Sequence, residues 1–88
     1  MLTTADRIKQ IRERLTTTFS PTHLEVIDES HLHKGHAGAK TGLGHFAINI
    51  AAKDLNNHSL MTAHRLIYQA LGELMTNEIH ALRIKLVK

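Results

Sequence analysis

The 88-residue sequence has no cysteine and no tryptophan, one proline, and only three aromatic residues, Phe19, Phe46 and Tyr68. Without cysteine there is no disulfide, no thiolate nucleophile and no thiolate metal ligand, so any metal must be held by histidine, by carboxylate or by atoms of another molecule. Three aromatics are too few for the stacking platform of a single-strand nucleic-acid binder. No stretch approaches the roughly 20 apolar residues of a membrane span, and the N-terminus MLTTADRIKQIRERL lacks the apolar run of a signal peptide. A cytoplasmic chain without membrane association is therefore expected. Charge of one sign is also scarce: the formal net charge is +3 and the pI about 9.6, mild for a domain built to neutralise phosphates. DNA binding is permitted by this balance and not demanded by it.

What is present is ordinary globular composition, 42% apolar and 22% charged, spread evenly enough to predict a single folded domain over residues 1–88. A domain of this length buries only about 60–65% of the surface of its unfolded chain, so a deep enclosed active site is not expected.

Ala5, Ile8, Ile11, Leu15 and Phe19 recur at helical spacing, Thr3 with Asp6 fits a capping box, and Ser20-Pro21 ends the pattern, which predicts a helix over 3–18. HLEVIDES predicts a strand over 23–29. Residues 30–44 hold four of the five glycines and no apolar periodicity, the mark of a long loop. HFAINIAA then puts Phe46, Ile48 and Ile50 on one face and Ala47, Asn49 and Ala51 on the other, as in a half-buried strand. Residues 53–59 read as a polar connector whose Asn57 or Ser59 can cap the next helix. Leu60, Ala63, Ile67, Ala70, Leu71 and Leu74 make a helical stripe to about Met75, Thr76-Asn77-Glu78 turns the chain, and IHALRIKLVK alternates as a third strand. The order predicts an α+β fold, α-β-β-α-β, with an antiparallel hairpin around the loop, a parallel third strand, and both helices packed on one face of a three-stranded mixed sheet.

Eight histidines are the unusual abundance. Imidazole is the commonest metal-binding side chain. His31 and His33, two apart on an extended segment, share a face, and His36 can reach back over Gly35. Spacing alone favours the plainer reading of three solvated loop side chains, because short histidine-rich motifs match by chance often. His80, at the mouth of the third strand, shares on strict alternation the side of Leu82, Ile84 and Leu86. His45 and His64 read as packing or hydrogen-bonding residues, His23 and His58 as surface residues. Asp28 and Glu29 point to opposite faces of a strand and cannot act as a carboxylate pair, and Ser30 beside His31 lacks an orienting third group. A zinc-dependent hydrolase on His31, His33 and His36 would need an open coordination site and a general base, for which there is no sign.

LEVIDESHLHKGHAG, then HF opening a strand, AHRLIYQAL in a helix and EIHAL opening the last strand together resemble the BolA family, over about Leu15 to Leu86. The resemblance implies a fold like that of class II KH domains and a non-enzymatic partnership with a monothiol glutaredoxin. In such complexes a bridging 2Fe-2S cluster takes sulphur ligands from the glutaredoxin and its glutathione, while the BolA-type chain supplies a histidine at the start of the last strand and a second residue, His or Cys, from the loop between the first two strands. Carried onto this sequence, the ligand at the start of the last strand is His80. The loop ligand is His36, which keeps the family's distance to His45 and Phe46, with His33 in reserve. No cofactor is expected in the isolated chain, which is expected to be a monomer or weak dimer. Mixed His and Cys ligation is established cluster chemistry. The sequence distance between His36 and His80 is no obstacle if strands one and three place the loop beside the mouth of the last strand. Some members of the family are DNA-binding regulators of transcription; here Lys34, Lys40, Lys53 and Arg65 are the candidate phosphate contacts, although no recognition helix is evident.

Overall fold

The computed structural model describes residues 2–30 and 44–87. Its elements are α1 (Thr4–Phe19), β1 (His23–Asp28), β2 (Gly44–Ala51), α2 (Lys53–Asn56), α3 (Leu60–Leu71), α4 (Glu73–Asn77) and β3 (Ile79–Leu86). The strands form one sheet in the order β1-β2-β3, with β1 antiparallel to β2 and β3 parallel to it. This is the expected α+β architecture with a mixed sheet. A hairpin needs only a loop, whereas a parallel pair needs a crossover, and α2, α3 and α4 supply it.

Helix α1 starts at the expected cap. Thr3 Oγ1 accepts from the Asp6 backbone N–H at 3.0 Å, and Asp6 Oδ2 accepts from the Thr3 N–H at 3.2 Å, so two donors left open by the first turn are satisfied reciprocally. The helix ends where Ser20 turns left-handed, φ 46°. Its buried stripe is Arg7, Ile11, Leu15 and Phe19. Ala5, expected on that stripe, is exposed and Ile8 lies at its edge. Arg7 can be buried because its Nε donates to Glu78 Oε1 at 3.0 Å, which pairs the charge and leaves the aliphatic stem to pack.

The crossover departs from expectation in two places. The single helix expected to reach Met75 is divided at Gly72, whose φ of 52° and ψ of −124° end α3 and begin α4, a conformation open to glycine and costly for residues with a Cβ. Thr76 and Asn77, expected in a turn, close α4. The connector at 53–59 contains α2, because Leu55 is fully buried and draws that turn onto the core. Ser59 does cap α3, accepting from the Thr62 N–H at 3.2 Å.

The largest fully buried side chains are Phe46, Ile11, Leu15, Ile48, Ile50, Leu55, Ile67 and Leu71. Phe46, Ile48 and Ile50 thus share the inner face as expected. Ala47 and Ala51, on the other face of β2, are buried as well, because β2 is the central strand and both neighbours crowd it. On the edge strands, β1 throughout and β3 from Ala81 onward, exposed and half-buried residues alternate.

Candidate functional site

Of the residues singled out in the sequence, His31, His33, Lys34, His36 and Lys40 lie outside the described residues. The others are placed by the fold. His80 stands at the start of β3, Lys53 opens α2, and Arg65 is exposed on α3.

Both stems of the segment 31–43 close on the end of the sheet where β3 begins. At the first stem, Asp28 Oδ1 accepts from the Ser30 N–H at 2.9 Å, the Glu29 N–H donates to His45 O at 2.7 Å, and Ser30 Oγ accepts from the His45 N–H at 3.1 Å. At the second, the Gly44 N–H donates to Glu78 O at 3.0 Å. Gly44 is required there: an added Cβ would lie 2.3 Å from Cε2 and 2.6 Å from Cζ of Phe46, whose ring is fixed in the core. The expectation from sequence is that strands one and three place the segment beside the mouth of the last strand. The observed order puts β2 between them, and it is Gly44, the first residue of β2, that borders β3.

His80 does not share the side of Leu82, Ile84 and Leu86. Gly44 is level with Ile79, but His45 is level with Ala81, so one extra residue on β3 is accommodated as a bulge at His80. Ile79 takes the core position, 2% exposed, and His80 is left exposed. The bulge moves the imidazole from the core side, where alternation would bury it, to solvent at the strand mouth.

Directly against it lies a residue that sequence reasoning assigns to packing. His45 is buried at 5% exposure, and its ring centroid is 5.0 Å from that of His80, the planes tilted by 50°. The packing reading of His45 holds, but what it packs against is the candidate ligand. Only the three-dimensional register could reveal this, since the two positions lie on different strands. His64 has its Nε2 buried without a hydrogen-bond partner among the described residues. His23 and His58 are exposed, as expected; His23 Nε2 meets Glu25 Oε1 at 2.8 Å, and this hydrogen bond is the main cause holding the Glu25 carboxyl below its ordinary pKa.

Two ion pairs brace this end of the molecule. Arg83 clasps Glu29 with Nη2–Oε2 at 2.6 Å and Nε–Oε1 at 3.3 Å, reaching from β3 across β2 to the end of β1. Ala47, level with Arg83 on the central strand, carries only a methyl group and leaves that path open. The hydrogen bond to Glu29, and then its charge, raises the Arg83 guanidinium above its ordinary pKa. The second pair, Arg7 to Glu78, has side chains only 7% and 15% exposed and ties the turn before His80 to α1.

Elsewhere, Arg65 borders a shallow groove of about 480 Å³ with Leu60, Met61, His64 and Tyr68. The wall is largely apolar, a poor setting for a row of phosphate contacts. No group of three or more histidine and carboxylate side chains that could hold a metal occurs among the described residues, so His80 needs further ligands from residues 31–43 or from another molecule to do so.

A three-stranded mixed sheet covered by helices, with a histidine bulged out at the end where β3 begins, defines a small α+β domain. The family model described as BolA-like protein matches residues 15–88, and the chain belongs to that family. It is 33% identical over 76 residues to the DNA-binding transcriptional regulator BolA of Escherichia coli (strain K12), covering 86% of this chain and 70% of that protein. It is 35% identical over 82 residues to the chloroplastic protein BOLA1 of Arabidopsis thaliana, covering 90% of this chain but only 51%, about half, of that one. Among solved structures, the BolA domain of SufE1 from Arabidopsis thaliana superposes with a TM-score of 0.80 at 36% identity, covering 98% of this chain and 93% of that chain.

Proposed function

We propose that the chain is a non-enzymatic partner of a monothiol glutaredoxin, in which His80 and a histidine of the 31–43 segment, His36 with His33 in reserve, co-ligate a bridging 2Fe-2S cluster whose remaining ligands are the sulphurs of the glutaredoxin and glutathione. The observation that supports this best is the bulge at His80. It gives the core position to Ile79 and exposes an imidazole at the strand end on which both stems of the histidine-rich segment close. The donor set fits a shared cluster and not a resident one, because imidazoles are present and thiolates are absent. When bound, such a cluster supplies one-electron redox chemistry at a potential that imidazole ligation raises.

The chain's own residues have three tasks in this reading. His80 offers a nitrogen lone pair to solvent. The Gly44–Glu78 backbone bond and the Arg7–Glu78 ion pair hold the turn from which it projects. The Arg83–Glu29 clasp holds the first stem to β3. Mixing the chain with cluster-loaded glutaredoxin is expected to change the visible absorption and circular dichroism; His80→Ala is expected to abolish the change.

A second reading, a DNA-binding regulator, draws on the names of the bacterial relatives and on the exposed Lys53 and Arg65, with Lys34 and Lys40. It predicts an affinity that falls steeply with salt and is indifferent to His80→Ala.

A further inference from the structure

We infer that His45 is a positioning residue for His80: its buried ring fixes the side-chain conformation in which the His80 imidazole faces solvent. An exposed side chain ordinarily samples several staggered rotamers, and a bulged residue has no cross-strand neighbour level with it to restrict them. His80 is both exposed and bulged. What it has instead is the ring of His45, 5.0 Å away between centroids and tilted by 50°, within the range of offset and edge-to-face aromatic contacts. His45 is itself a rigid platform. Its backbone N–H donates to Ser30 Oγ at 3.1 Å and its carbonyl accepts from the Glu29 N–H at 2.7 Å, which fixes the backbone, and burial to 5% exposure confines the ring. The contact therefore transfers order from the central strand to a surface imidazole. A ligand ring already held in one orientation meets a metal without first having to be ordered. This gives the proposed co-ligation a physical basis in the chain, and in that respect the inference rests on that reading.

The test is made on the isolated chain by NMR, from the three-bond couplings that report the His80 χ1 rotamer. The parent is expected to show one dominant rotamer. His45→Phe, which keeps a flat ring and loses both nitrogens, is expected to retain it. His45→Leu, which keeps buried volume and loses the flat ring, is expected to give averaged couplings. Averaged couplings in the parent overturn the inference, as does a single rotamer kept by the Leu variant or lost by the Phe variant. Should the Leu variant fail to fold, His45→Met, which also lacks a flat ring and adapts to the buried space, replaces it with the same expectation. No glutaredoxin enters the experiment, so a failed cluster-sharing reading and a failed positioning role are separately visible.

Discussion

At Gly44 the molecule has no room for a side chain, and the reason is Phe46, two residues on. Gly44→Ala forces a Cβ into the edge of a fully buried ring and is expected to cost about 1–3 kcal/mol by urea unfolding. Arg7→Ala should cost about 3 kcal/mol in the same assay, because it leaves the Glu78 carboxylate, 15% exposed, without its guanidinium partner. His80→Ala, at an exposed position, is expected to change stability by no more than about 0.5 kcal/mol, so a loss of function in that variant would be a loss of the ring and not of the fold. His80 is singled out by the BolA resemblance as a whole, of which EIHAL is one motif among several. Its side of the strand is not legible, because alternation assumes one residue per ladder step, and the bulge depends on the pairing of β3 with Gly44 and His45. The role of Arg7 is hidden for the same reason: its partner is 71 residues away.

At the scale of elements, local chemistry is readable wherever the signal is local. The Thr3–Asp6 box and the Ser20-Pro21 stop depend on neighbours in sequence, and each is found where the residues indicate; the alternation of the strands holds on β1 and on β3 beyond the bulge and gives way at His80 and on the buried central strand. Gly72 does not show in the sequence as a break because the apolar stripe continues through it to Leu74; only the change of direction between α3 and α4 demands its positive φ. Gly72→Ala is expected to cost about 1–3 kcal/mol in thermal or urea unfolding, as a non-glycine residue is forced into a sparsely populated conformation. The capping box makes a pH prediction. Hydrogen bonds from Thr3 lower the Asp6 pKa below its ordinary 3.8, and a carboxylate with a lowered folded-state value stabilises the fold above its unfolded value and stops doing so as the pH falls through the lowered one. Asp6→Asn should therefore unfold at a lower temperature than the parent at neutral pH, with the gap closing in acid below 3.8.

For the whole molecule, the order β1-β2-β3 matters more than any single contact. With β2 in the centre and parallel to β3, the end of the histidine-rich segment and the start of the last strand must lie side by side, held by one backbone bond and flanked by two ion pairs. The fold class and the pairing senses can be reasoned from the sequence, since helical and strand periodicities leave few ways to bury one apolar face each. The candidate site is only half legible: the resemblance names His80 as a candidate, whereas His45, its buried neighbour, is recognised only once two strands are laid in register. The central claim is that His80 offers its imidazole to a cluster shared with a glutaredoxin. It is tested most directly by titrating cluster-loaded monothiol glutaredoxin with the parent chain and with His80→Ala while recording visible circular dichroism. The account predicts a new spectrum that saturates with the parent and is absent with the variant; the same spectrum from both chains would contradict it.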